Sequence, residues 1–310
     1  MKNKSLKLRK HALKRKDKFT IKRWVLRTTL LLSMNSFLYT PLKEGLLYYK
    51  QDKECEQKVE QKNALQDKIL LSQPLPILLY HDISETTEER FRLPVQKFEA
   101  QLKYLKKNNF TTVTLASLLK ESAPKNAVVL TFDDISKNFF SRVYPLLIKY
   151  KMRATAFVIV NDVTSNESAK KLTWRELIEM NKSGLIDIES HTMNHINLVK
   201  CNEKKVAYEL MMSKHILETV LDKEISLIAW PFGKHNNIVD KIGREKGYLG
   251  FVNCDSSIVG NPTINLANIG RYEVNGKWNQ KEFENILKKL KGSKRLEPTY
   301  EPLLEEVKIN

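Results

Sequence analysis

The sequence predicts an α/β fold built on a buried parallel sheet, and three observations carry that reading. Short apolar runs recur between Ile77 and about Leu290: ILLY (77–80), AVVLTF (127–132), TAFVIV (155–160), LIDIES (185–190), ISLIAW (225–230) and GFVN (250–253). They are continuous rather than alternating, which is the pattern of strands covered on both faces. Stretches with helical periodicity separate them: Val95–Asn108, with Phe98, Leu102 and Leu105 in one stripe, then Tyr144–Tyr150, Thr173–Ser183 and Glu203–Leu221. Finally, polar residues able to do chemistry stand at the ends of several runs, and parallel strands deliver their C-terminal ends to one side of a sheet. An open doubly wound sheet and a barrel both satisfy this pattern.

The basic charge is concentrated at the front of the chain. Of 53 Lys/Arg and 36 Asp/Glu, 12 bases and one acid fall in residues 1–27, so +11 of the net +17 sits there. The remainder is only mildly basic, which argues against nucleic acid as a partner and for a membrane surface. Thr28 to Leu42 then carry no charge. Fifteen residues are short of the roughly 20 that span a bilayer. Arg27 and Lys43 can snorkel, however, and Trp24, Tyr39, Tyr48 and Tyr49 suit the interfaces. The expected organisation is a basic cytoplasmic segment (1–27), a signal anchor (28–49), a polar, helix-prone stalk (50–75), the folded domain (76–292) and a C-terminal tail (293–310). That places a single-pass protein in the cell membrane with its domain outside. A cleaved signal peptide is the alternative. The three cysteines, Cys55, Cys201 and Cys254, form no close pair and suggest no disulfide framework. Nothing points to a protein partner.

Two motifs carry most of the chemistry. LTFDD ends in Asp133 and Asp134, and two adjacent carboxylates at the end of a buried strand are costly unless something positive is near. ESHTMNH places His191 and His195 after the run LIDIES, a spacing that brings two imidazoles within reach of one metal. Two His and one Asp on a metal serve either zinc-type hydrolysis or iron oxygenation. The second carboxylate favours hydrolysis, because activating a water needs a base beside it. AWPFG, Ala229 to Gly233, ends the run ISLIAW in an abrupt turn whose backbone N–H could steady an oxyanion. Expelling an amine requires a proton donor, and elimination among the six histidines leaves His81, in LLYHDI, with His235 as its rival.

In this order the motifs resemble the polysaccharide deacetylase family, the NodB homology domain of carbohydrate esterase family 4, over roughly Pro76 to Tyr272. The resemblance implies a distorted (β/α) barrel, with Asp133 as general base and Asp134, His191 and His195 holding a divalent metal, usually zinc. It puts the backbone N–H of Phe232 on the oxyanion. Two departures stand out. Ala229 occupies the place of an Arg that steadies the catalytic Asp in many members, with Arg271 in NIGRYEV as a possible substitute. The late acid histidine is also missing, and Tyr80-His81 matches the N-terminal Tyr-His of the branch acting on poly-β-1,6-N-acetylglucosamine. Tyr80, Trp230, Phe232 and Arg271 complete the candidates for contact with substrate. The implied activity is N-deacetylation of an acetylated polysaccharide. Peptidoglycan deacetylation and an inert carbohydrate-binding protein are the competing readings.

Overall fold

A computed structural model of the 310-residue chain describes residues 68–71, 74–166, 170–256 and 263–292, all within the unit Glu56–Asn310. The elements, in chain order, begin with the strands β1 (Lys68–Leu70), β2 (Ile77–Tyr80), β3 (Asp82–Ser84) and β4 (Arg92–Pro94). Helix α1 (Val95–Lys107), β5 (Thr111–Val113), β6 (Ala127–Phe132), α2 (Tyr144–Tyr150) and β7 (Ala154–Val158) follow. Then come α3 (Trp174–Lys182), β8 (Ile186–Ser190), α4 (Glu203–Leu221), β9 (Leu227–Ala229) and α5 (Asn237–Glu245). The last elements are β10 (Gly250–Val252), β11 (Thr263–Asn265), β12 (Tyr272–Glu273) and α6 (Gln280–Gly292).

The main sheet runs β10-β9-β8-β7-β6-β2-β12, and β5 joins β6 on the edge that β7 also uses. Every pair in it is parallel. From β6 to β10 spatial order follows chain order, with none of the reversal that defines a doubly wound sheet. The sheet therefore curls one way, into a half-barrel. Its edge strands share no ladder. Residues 266–273 run between them instead: Phe251 N–H donates to Leu266 O (2.8 Å), Ile269 N–H to Phe251 O (2.8 Å) and Asn253 N–H to Ile269 O (2.9 Å), and the segment continues into β12 beside β2. The distortion is greatest between β8 and β9, which share one register pair. There the buried Glu189 carboxylate accepts the Ser226 and Leu227 N–H groups (3.0 and 2.8 Å) in place of ladder bonds.

Strand parity sorts the side chains into two layers. Ile77, Ala127, Val129, Phe157, Leu227, Ala229 and Val252 fill one buried cluster inside the curl. Their alternates face the helices: Tyr80 and Phe132 pack on Phe98 of α1 with ring centroids 5.5 and 5.8 Å apart. The predicted stripe Phe98, Leu102 and Leu105 is buried, each such side chain contributing about 1.5–3 kcal/mol. A capping box, Thr173 with Glu176, starts α3, and Asn202 caps α4.

The strand-like runs and helical stretches fall where the periodicity puts them, within one or two residues. The stalk needs a correction. Residues 68–70 are a strand pairing antiparallel with β11, and Leu71 and Leu75 pack on the core. The apolar run after Lys68 belongs to the fold rather than to a polar spacer. The predicted segments 1–27, 28–49 and 293–310, and most of 50–75, lie outside the described residues. Among the described residues no helix is long and apolar enough to cross a membrane.

Candidate active site

The interior parity of β6, Ala127-Val129-Thr131, extends to Asp133, which is 3% exposed at the mouth of the half-barrel. Its N–H donates to Tyr80 O (3.0 Å), continuing the ladder with β2. Arg271, fully buried, grips both carboxylate oxygens: Nη1 to Oδ1 and Nη2 to Oδ2, each 2.6 Å. The guanidinium is fixed in turn. Nε donates to Asn253 O (2.9 Å), Nη1 reaches Thr131 Oγ1 (3.3 Å), and the group lies 5.4 Å from the Phe157 ring centroid. Burial by itself would push the Asp133 carboxyl up. The Arg271 guanidinium, with His191 and His81 adding to it, holds it well below the usual carboxylate range. Arg271 is thus a positioning residue, buried behind Asp133 rather than placed for substrate.

Asp134, His191 and His195 form the one cluster of potential metal donors among the described residues, one atom from each lying within 4.8 Å of the others. Asp134 Oδ1 is 3.4 Å from His191 Nε2 and 3.6 Å from His195 Nε2. Two ligands about 2.1 Å from one ion at the tetrahedral angle lie roughly 3.4 Å apart, so the spacing fits. The protonation fits too. His191 Nδ1 is 2.8 Å from Ala229 O, and a carbonyl only accepts, so Nδ1 carries the hydrogen and Nε2 keeps its lone pair. Burial pushes both imidazoles below the ordinary histidine value, toward the neutral form that binds a metal. Burial also pushes the Asp134 carboxyl up, with Asp133 and Asp162 adding to it and His191 opposing. A divalent cation would relieve that repulsion.

The backbone is bent to present these groups. Asp134 (φ 51°), Thr192 (φ 68°), His195 (φ 52°) and Phe232 (φ 60°) are all left-handed, a conformation costing on the order of 1–3 kcal/mol per non-glycine residue. Hydrogen bonds hold the His191–His195 loop in place. Thr192 N–H donates to Ser190 Oγ (3.2 Å), His195 N–H to Thr192 Oγ1 (3.0 Å), Val160 N–H to Thr192 O (3.2 Å) and Asn161 N–H to Met193 O (3.0 Å). Glu209, fully buried on α4, accepts the Asn194 N–H (2.9 Å) and its side-chain amide (2.6 Å) and pairs with Lys205 (2.8 Å). Sequence reading missed Glu209. Its signal was an acid on the buried stripe of α4, beside Val206 and Leu210.

His81, Asp133, Asp134, His191, His195 and Phe232 line one cleft of ≈ 740 Å³. His81 follows β2, which lies beside β6, and shares the parity of Ile77 and Leu79. Burial lowers its pKa, opposed by Asp133 and reinforced by Arg271. The Phe232 ring stands 4.6 Å from that of His195 and is 43% exposed. His235 is bonded to Asp240 (3.0 Å) at the start of α5 and is not among the lining residues. Cys254 does line the cleft, and burial pushes its thiol up to about 11, so it presents a neutral surface. Tyr80 and Trp230 are corrected. Tyr80 has the opposite parity to His81 and donates to Gln101 Oε1 of α1 (2.9 Å). Trp230 is buried beneath α5, stacked on Phe251 at 5.2 Å. Both are core residues without access to the cleft.

The sequence model of the polysaccharide deacetylase family matches residues 120–251. A Bacillus subtilis protein named for the same family is 34% identical over 179 residues, 56% of this chain and 62% of its own length. The poly-beta-1,6-N-acetyl-D-glucosamine N-deacetylase of Staphylococcus aureus is 30% identical over 188 residues, 55% of this chain and 65% of its own. The chain therefore covers less than two thirds of either relative's length. Among solved structures, a Streptococcus pyogenes deacetylase in complex with acetate superimposes with a TM-score of 0.61 at 26% identity, covering 70% of this chain and 98% of that one.

Proposed function

We propose, from the match of residues 120–251 to the polysaccharide deacetylase family, that the protein hydrolyses N-acetyl groups of an N-acetylglucosamine-containing polysaccharide, poly-β-1,6-N-acetylglucosamine being the favoured substrate. The observation that carries the reading is the cleft, where an ionised carboxylate (Asp133), a His-His-Asp donor set and a separate histidine (His81) face one another. The β-1,6 linkage draws support from the Staphylococcus aureus relative and from His81, which stands where the Tyr-His resemblance puts the acid.

Asp134, His191 and His195 would hold the divalent cation, zinc in this proposal. When bound, it would lower the pKa of a water from about 15.7 to about 7 and polarise the acetyl carbonyl. Asp133, kept ionised by Arg271, takes a proton as the water oxygen attacks the carbonyl carbon. The Phe232 backbone N–H, on the turn after Pro231, donates to the oxygen that gains negative charge. His81 gives a proton to the amide nitrogen, the C–N bond breaks, and acetate and a free amine result. Acetate release from β-1,6 and β-1,4 N-acetylglucosamine oligomers, assayed side by side, tests this. Release from the β-1,4 series alone would overturn the linkage, and release from neither would overturn the activity.

The proposed location is the outer face of the cell membrane, tethered by the uncharged stretch Thr28–Leu42 behind its basic block. Cys55, native to the proposed stalk, should react with an impermeant reagent on intact cells in a variant whose Cys201 and Cys254 are replaced by Ser. Labelling only after lysis would refute it.

A further inference from the structure

The wall of the cleft beside His81 is the link between β3 and β4, and it is built rigidly. Asp82 N–H donates to Phe91 O (3.0 Å), and Glu89 and Arg92 exchange N–H···O bonds of 3.1 Å. Gly276 N–H donates to Arg90 O (3.1 Å). A Cβ on Gly276 would stand 1.9 Å from Arg92 O and 2.2 Å from Glu89 O, so the approach needs glycine. Arg90 forms a two-point pair with Glu273 of β12 (2.7 and 3.3 Å), and its guanidinium lies 5.1 Å from the Phe91 ring centroid. Phe91 itself meets the His81 ring at 4.8 Å and 64° and is still 37% exposed.

A loop pinned by these hydrogen bonds thus presents a partly exposed aromatic ring to the cleft. Phe232, 43% exposed, lines the same cleft against the ring of His195. Two exposed aromatic rings, one packed on the proposed proton donor and one on a proposed metal ligand, thus flank the reacting centre. The apolar C–H face of a pyranose fits such a ring, while its hydroxyls stay with water and the polar rim. Resting on the deacetylase reading above, we infer that Phe91 is a sugar-stacking platform for a unit adjacent to the one being deacetylated. The cleft therefore selects N-acetylhexosamine oligomers over the monosaccharide.

The test is calorimetric binding and steady-state acetate release with N-acetylglucosamine pentamers, β-1,6 and β-1,4, and with the monosaccharide. Phe91→Ala should weaken pentamer binding and raise KM about tenfold or more, with kcat within about threefold. Phe91→Trp should restore both, and the monosaccharide should not distinguish the variants. A fall in kcat at unchanged KM would overturn the inference, because Phe91 would then act through His81. Unchanged pentamer binding in Phe91→Ala, with wild-type protein active, would also overturn it and leave the deacetylase reading standing. If the wild type binds pentamer without releasing acetate, the activity fails, and weaker binding by Phe91→Ala still upholds the platform.

Discussion

Replacing Arg271 by Met probes the charge balance at the heart of the site. Asp133 is 3% exposed, and both its oxygens are bonded to the Arg271 fork at 2.6 Å. Removing one partner of a buried pair leaves an uncompensated charge, at about 3–5 kcal/mol. For a domain of this size each kcal/mol moves Tm by about 2–4 °C, so the expected loss is about 6–20 °C. The sign of the pH dependence follows from the depressed pKa. In the wild type, stabilisation from Asp133 is fully present above the unfolded carboxylate pKa of about 3.9 and is lost as pH falls toward the lower folded value. In Arg271→Met burial is opposed only by His191 and His81, the pKa rises, and the gap in Tm widens as pH climbs above about 3.9. Thermal melts across pH, with acetate release, measure this. The acid limb of the rate profile should move upward, because the base now protonates. Arg271→Met combined with Asp133→Asn should recover most of the Tm and none of the activity. A double variant no more stable than Arg271→Met would refute the charge argument.

Further predictions concern the donors and their supports. Asp134→Ala, His191→Ala and His195→Ala should each lose bound zinc, whereas Asp133→Asn should keep it and lose activity by about 10²–10⁴-fold; stoichiometric zinc in purified His191→Ala would contradict the ligand set. His81→Ala should keep zinc and fold and lose about 10²-fold in rate, together with the basic limb of the profile, which in the wild type should lie below the ordinary histidine value because burial lowers that pKa. His235→Ala should stay nearly active, and the reverse outcome for the two histidines would invert their assignment. Glu209→Ala frees the Asn194 amide and should weaken zinc affinity about tenfold or more in a chelator competition; unchanged affinity would show that the loop holds itself.

The paired acids and the His-x3-His were legible in the sequence because each motif is local: residues close in the chain, at the end of a strand. His81 was reached by elimination, and strand order then placed β2 beside β6. Parity decided what the motifs left open. Tyr80 and His81 are neighbours in the chain, yet alternation sends one to the helices and the other to the mouth. Trp230 went astray for a related reason, since its place under α5 depends on a helix that periodicity had not marked. Glu209 acts through a loop 15 residues away, and the Glu89–Arg92 wall depends on Gly276. No spacing rule reports such contacts. The polar composition of 50–75 hid the short strand at its end.

The segment 266–273 that bridges the open side of the half-barrel also dictates when the site is finished. A growing chain has all three proposed metal ligands by residue 195, but the counter-charge for Asp133 arrives only with residue 271. Until then a carboxylate destined for the interior has no cation to meet it. The span 120–251 that matches the family contains the acids and both histidines of the donor set, while His81 lies before it and Arg271 after it. A fragment cut to that span would keep the donor set and lack both the Arg271 grip on Asp133 and the histidine proposed as proton donor. The proposed hydrolysis would thus need the segment that follows β11, because the cation that meets Asp133 arrives with it.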